Sequence, residues 1–205
     1  MHRIIALMLL MALPAPVEAE MYNGYETPAY TVEKTDGAVE IRSYPALIAA
    51  EVTVTGSREA AINAGFRLLA GYIFGGNESS AKVAMTTPVT HAPSEKIAMT
   101  TPVTQTGSDQ GWTVRFMMPA SYTLDTLPKP KDARIRFVTT DPVRMVVLRF
   151  SALPRTAALE RRSEELRAWA KANGLVLEGA PQFMFYDPPF RLPWNRRNEV
   201  SFIIR

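Results

Sequence analysis

The sequence predicts an α+β domain in which two helices pack on a twisted antiparallel sheet or distorted barrel. Two segments carry a helical period and stop at glycine: about 57–74 before Gly75-Gly76, and about 156–173 before Gly174. Nearly everything else has strand length and strand composition. The order strand, helix, strand, strand occurs twice, so the chain reads as two β-α-β-β halves, and successive hairpins favour antiparallel pairing.

Val39 to Thr55 is β-rich, with Pro45 as a bend. Ser57 is a suitable N-cap for the first helix. Ile62, Phe66, Leu69 and Ile73 fall at i, i+4, i+7 and i+11 and mark its buried face, with Arg67 off that stripe. The phrase KVAMTTPVT (Lys82 to Thr90) then recurs as KIAMTTPVT (Lys96 to Thr104). Each copy nearly alternates in residue type, so the two predict neighbouring strands joined through His91 to Glu95, with matching Met/Val and Ala/Thr faces. Met85 and Met99 then either fill core or line an adaptable apolar pocket. Further strands are predicted at Trp112–Met118, Ala133–Thr139, Met145–Phe150, Leu175–Tyr186 and Val200–Ile204, with surface loops at Gly107–Gly111 and Leu127–Asp132. In the second helix Leu159, Leu166 and Trp169 mark the inner face, and its run of Glu and Arg is a solvated surface.

The length of 205 residues suits one domain with a real core. A net charge of +3 without a block of like charges points to neither a nucleic-acid arm nor a polybasic membrane patch. Ile4 to Leu13 is an apolar run too short to span a bilayer, and it is broken by Pro14 and Pro16 before a small-residue cleavage site at Val17-Glu18-Ala19. Residues 1–19 are therefore expected to be a secretory signal peptide, 20–29 a flexible mature N-terminus and 30–205 the domain. That predicts a periplasmic or secreted protein with no membrane span after cleavage. The chain has no cysteine, which excludes disulfides, thiolate metal sites, cysteine nucleophiles and c-type haem attachment. Without its leader it holds a single histidine, His91, and no GxSxG elbow is present.

Tyr186 to Val200 reads YDPPFRLPWNRRNEV. Three prolines stiffen it, and Phe190, Leu192 and Trp194 are apolar material that a merely solvated loop does not need. Arg191, Arg196 and Arg197 add guanidinium groups, which bind carboxylates bidentately. Such a loop suits an amphipathic ligand carrying carboxylates. Alternatively, Arg196 or Arg197 pairs internally with Asp187 or Glu199.

This stretch, together with Phe74-Gly75-Gly76-Asn77, the KIAMTTPVT phrase and FMMPASY (Phe116 to Tyr122), resembles the SOUL or p22 haem-binding protein family over about Tyr30 to Ile204. The doubled phrase looks like that of bacterial members. The resemblance implies a distorted antiparallel β-barrel of two pseudo-symmetric halves flanked by two helices. It also implies non-covalent binding of haem or related porphyrins in a shallow apolar cleft between the first helix and the YDPP loop. Ile62, Phe66, Phe190, Leu192 and Trp194 would contact the macrocycle, and Arg67 and Arg191 would face its propionates. Some members are proposed to use an axial histidine near the second strand. This chain has none there; His91, in the linker between the two copies of the phrase, is a candidate iron ligand, as is a methionine of the phrase (Met85 or Met99), while other members hold haem by apolar contact and propionate pairing alone.

The expected function is thus a non-catalytic tetrapyrrole carrier, buffer or sensor. Alternatives are a binding module for other flat hydrophobic molecules, similar to the effector-binding domains of drug-responsive regulators, or a haem-dependent enzyme or hydrolase.

Overall fold

The computed structural model describes residues 20–78, 94–108 and 110–205. The expected leader, the first copy of the repeated phrase and His91 lie outside these residues. In chain order the strands are β1 (Met21–Tyr22), β2 (Tyr25–Glu26), β3 (Thr31–Asp36), β4 (Val39–Tyr44) and β5 (Ile48–Val54). Helix α1 (Arg58–Ile73) follows, then β6 (Asn77–Glu78), β7 (Val103–Ser108), β8 (Gly111–Met117), β9 (Lys129–Pro130), β10 (Arg136–Thr139) and β11 (Val143–Phe150). Helix α2 (Thr156–Ala172), β12 (Leu177–Phe185), a 3-10 turn (Pro193–Asn195) and β13 (Asn198–Ile204) complete the chain. Both helices start and stop where the pattern predicts. Ser57 accepts a hydrogen bond from the Ala60 N–H at the start of α1.

Nine strands form one antiparallel sheet in the order β10-β5-β8-β7-β12-β13-β11-β4-β3. Its centre shows the two halves: β5-α1-β7-β8 gives the local order β5-β8-β7, and β11-α2-β12-β13 gives β11-β13-β12. The halves meet where β7 pairs with β12. Each also lends its preceding strand to the other, since β4 pairs with β11 and β10 with β5. Nothing among the described strands pairs β10 with β3, so the expected closed barrel is not made by the hydrogen-bond ladder.

Strong curvature is nevertheless required. β4 and β5 lie six places apart in the sheet order, which in a flat sheet is ~29 Å at ~4.8 Å per strand. Only Pro45–Leu47 joins them, and that link spans at most ~14 Å from Tyr44 to Ile48. The same constraint applies to β10 and β11, joined through residues 140–142. The two links are bonded to each other: the Thr140 N–H donates to the Leu47 carbonyl at 2.8 Å, and the Leu47 N–H donates to Thr140 Oγ1 at 3.1 Å. The sheet therefore curls, with helices outside and a concave face within.

Alternation along the strands separates those faces. Val52, Val114, Phe116 and Val103 form one core with Leu69, Tyr72 and Ile73 of α1. Val146, Leu148, Phe183, Val200 and Phe202 form a second with Leu159 and Leu166 of α2. Trp169 is only half-buried, and its Nε1–H donates to Asp36 at 2.9 Å. The α2 charges sit outside as expected, paired at i, i+3 as Arg162–Glu165 and Arg167–Glu164.

The structure refines several expectations. The α1 face against the sheet is Ala61, Gly65, Leu69 and Tyr72 rather than the stripe beginning Ile62 and Phe66. A Cβ on Gly65 would lie 2.6 Å from Val114 Cγ2, so the small residues let α1 sit closer and turn Ile62 and Phe66 sideways. The second copy of the phrase is not a strand until Val103. Its backbone bonds are scattered instead: Ile97 N–H donates to Ile73 O, and Thr101 N–H donates to Glu26 O. Within residues 20–29, Met21–Tyr22 and Tyr25–Glu26 form a hairpin, β1–β2, around Asn23 (φ 50°) and Gly24 (φ 84°), the two left-handed positions that such a turn requires. Of the two expected loops, the first falls where β7, ending at Ser108, pairs with β8, starting at Gly111, and Leu127–Asp132 buries Leu127 and pairs β9 with β6.

Candidate functional site

A cleft of about 710 Å³ opens between α1, the segment before α2, residues 99–103 and the start of the YDPP loop. Rotation of α1 makes it possible. With Ala61 and Gly65 against the sheet, Ile62 and Phe66 flank the opening, and Phe66 meets Phe116 of the core edge-on at 5.4 Å. Exposed apolar surface lines the mouth: Phe74, Leu153 and Phe190 are 62%, 37% and 86% exposed. Apolar area left in water at a concave site is available for a ligand to cover.

The two helix N-termini meet here. Arg58, at the start of α1, is buried and ties them together. Its guanidinium donates to Thr156 Oγ1 (3.1 Å), Gln105 Oε1 (3.3 Å) and Pro154 O (2.8 Å). Burial lowers its pKa, and the neighbouring Glu59 carboxylate opposes that shift. Arg155 sits at the N-cap of α2 without making a side-chain cap, and the first turn has no acidic residue. This end of α2 thus presents its positive pole to the cleft. The Arg155 guanidinium has no side-chain partner among the described residues, and Arg155 lines the cleft. Thr101 Oγ1 is buried in the same wall and is likewise without a hydrogen-bond partner among the described residues.

The YDPP loop is held by internal bonds. Asp187 accepts from Tyr22 OH (3.1 Å), Asn23 Nδ2 (3.1 Å) and the Arg197 N–H (2.6 Å). Arg196 donates to the carbonyls of Arg191 and Pro189. Arg197 and Arg42 clamp the fully buried Glu199, at 2.7 and 2.8 Å. Burial alone would raise the Glu199 carboxyl, but the two guanidinium groups outweigh it and its pKa is lowered. Burial and the Glu199 charge push Tyr186 well up, and its hydroxyl donates to Glu199 at 2.9 Å. Arg197 is therefore the internally paired arginine that the sequence left open, and Arg196 anchors backbone.

Of the residues singled out from sequence, Ile62, Phe66 and Phe190 line the cleft, as does Met99. Arg67 lies on the outer side of α1, exposed, with Nε donating to Asn63 O at 3.3 Å. Arg191 stands over Asp187 at 3.5 Å and donates to Asn195 O. Leu192 and Trp194 are 51% and 69% exposed and do not wall the cleft. Sequence reasoning missed Arg58, Thr101, Leu153 and Arg155. The start of α2 near Thr156 is legible in the sequence, but nothing local shows that it abuts α1. Among the described residues no group of His, Asp or Glu is arranged to hold a metal ion, and no helix is long and apolar enough to cross a membrane.

Fold and cleft together define a duplicated β-α-β-β domain with a large apolar cleft at the junction of its helices. The chain belongs to the SOUL heme-binding protein family, whose family model matches residues 25–203. It is 30% identical over 175 residues to heme-binding protein 1 of Xenopus laevis, covering 83% of this chain and 86% of that protein. Among solved structures, the EcmrR C-terminal domain is similar with a TM-score of 0.56 at 13% identity, covering 86% of this chain and 98% of that one. A hydrolase from Listeria innocua has a TM-score of 0.55 at 12% identity, covering 84% and 94%. At those identities the likeness is one of fold.

Proposed function

We propose that the chain binds haem or a related tetrapyrrole non-covalently in this cleft, as an exported carrier or buffer and not as an enzyme. The observation that carries the reading is the pairing of exposed apolar surface with a cation, at one helix N-terminus, that has no side-chain partner among the described residues. Phe66, Phe74, Leu153 and Phe190 offer apolar faces to a flat ring, and Arg155 at the positive end of α2 offers a partner to a carboxylate. A macrocycle with two propionates has both features. Thr101 Oγ1 adds a hydrogen-bonding group that the described protein leaves unused. Family membership supports the same ligand class. In this reading Arg155 takes the role that the sequence suggested for Arg67 or Arg191, which reach the ligand only from outside the cleft wall. Met99 supplies a thioether to the lining, and Tyr25 and Tyr186 supply phenols, the second already bonded to Glu199; apolar contact with charge pairing is sufficient without them. Covering apolar area contributes ~25 cal/mol per Å², and ordering costs reduce the sum.

Hemin titration followed by Soret absorbance and tryptophan quenching tests this directly. A saturable Soret change at low micromolar protein is expected, and its absence overturns the reading. Metal-free protoporphyrin competing with similar affinity would support apolar and propionate contacts over iron ligation. A cationic aromatic dye displacing hemin from the cleft would favour the broader reading of a module for flat hydrophobic molecules.

A further inference from the structure

The curled sheet encloses a second cavity, of about 430 Å³, on its concave face, the side away from both helices. It lies over the seam where β7 and β12 pair. One wall comes from Arg115 and Met117 of β8, and the other from Tyr44 of β4 and Met145 of β11. These strands are up to five places apart in the sheet, so a single cavity touches them all only because the two short links draw the sheet round. Leu47 and Thr140 of those links wall it too.

The lining has a definite chemistry. Met117, Met145 and Met184 are buried and supply adaptable thioether surface. Tyr44 and Tyr186 have their hydroxyls engaged, the first by Arg42 at 3.2 Å and the second by Glu199 at 2.9 Å, which leaves ring surface for an occupant. The wall charges Arg115 and Glu178 are paired with Glu51 and Arg205, and Asp141 is exposed at the rim. Gln182 lines the cavity, and its side-chain amide has no partner among the described residues. We propose that this concave cavity is a second ligand site, distinct from the helix-side cleft, for a small neutral aromatic molecule that carries one hydrogen-bonding group for Gln182. Paired charges make the wall unsuited to a dianionic porphyrin. The volume falls in the lower part of the ~300–1,000 Å³ range of small-molecule pockets.

Methionine methyls report the two sites separately, because Met117, Met145 and Met184 line this cavity and Met99 lines the cleft. The experiment is ¹³C-methyl-methionine NMR with N-phenyl-1-naphthylamine, a neutral aromatic amine, in one arm and diamagnetic zinc protoporphyrin in another. The amine should shift the methyls of Met117, Met145 and Met184 saturably and leave Met99 in place. Gln182→Trp, which fills a half-exposed position, should weaken the amine about tenfold or more and spare the porphyrin's effect on Met99. Shifts at Met99 alone, or at none of the three cavity methyls in the wild-type protein, overturn the proposal. The porphyrin arm tests the cleft on its own, so failure of one site is read apart from failure of the other.

Discussion

Glu199→Gln should be among the most damaging conservative substitutions in this protein, and the reason is burial rather than the number of bonds. Glu199 is 0% exposed and Arg42 2% by side chain, with Arg197 at 2.7 Å on the other oxygen. Removing the charge leaves Arg197 facing a neutral amide away from water, and leaves Arg42 with only the part-exposed Glu40 carboxylate at 2.7 Å. Breaking a buried pair by deleting one partner costs ~3–5 kcal/mol. For a chain of this size that is a fall in Tm of ~6–20 °C, at ~2–4 °C per kcal/mol. Glu33→Gln is the control. Glu33 also makes a close ion pair, with Arg144 at 2.6 Å, but the side chains are 31% and 48% exposed, and such pairs contribute ~0–1 kcal/mol. Calorimetric or circular-dichroism melting of both variants decides the matter. Equal, small losses would refute the claim that the Arg42–Glu199–Arg197 clamp holds β4, β13 and the YDPP loop together. The pH dependence carries the same signature. Because the folded Glu199 pKa lies below its unfolded value of ~4.3, its stabilisation is present above that pH and is lost as pH falls through the folded value. Glu33, held down at about 2 by Arg144, acts in the same direction. Wild-type stability should decline below about pH 5, and the Glu199→Gln profile should be flatter.

Gly65→Val should destabilise the fold by ~1–3 kcal/mol, since even a Cβ there lies 2.6 Å from Val114; an unchanged urea midpoint would show that α1 can lift off β8 freely. Thr101→Val removes a buried hydroxyl that has no partner among the described residues, so the ligand-free protein should gain ~1 kcal/mol in chemical unfolding; a loss of stability would mean that the hydroxyl is satisfied in solution. Arg155→Glu should weaken hemin about tenfold or more with melting unchanged, because Arg155 has no side-chain partner among the described residues to lose; unaltered hemin affinity would return the propionate role to Arg67 or Arg191.

Local chemistry carried much of the architecture. Ser57, Gly75-Gly76 and Gly174 end the helices where cap and stop residues must, and the order of strands and helices already showed two equivalent halves. Ile62, Phe66 and Phe190 line the cleft, but the helical period places the first two in the core. The periodicity that put Ile62 and Phe66 in the core counts apolar residues and is blind to Ala61 and Gly65, whose smallness sets which side of α1 can approach the sheet. The second phrase failed as a strand because alternation says nothing about pairing partners, and its backbone found them one at a time on α1 and β2.

Sequence by itself determined the class of fold, the two helices with their ends, the family and the apolar, proline-stiffened character of the YDPP loop. These depend on neighbours within a few residues or on motifs quoted whole. Tertiary structure alone decided that the starts of α1 and α2 meet at one cleft and that Arg155 lines it with no side-chain partner among the described residues. It also decided that two three-residue links between distant strands force the sheet to curl round a second cavity. Contacts between residues roughly a hundred positions apart, such as Arg58 with Thr156 or Leu47 with Thr140, have no local signature, because they arise only when the whole sheet curls.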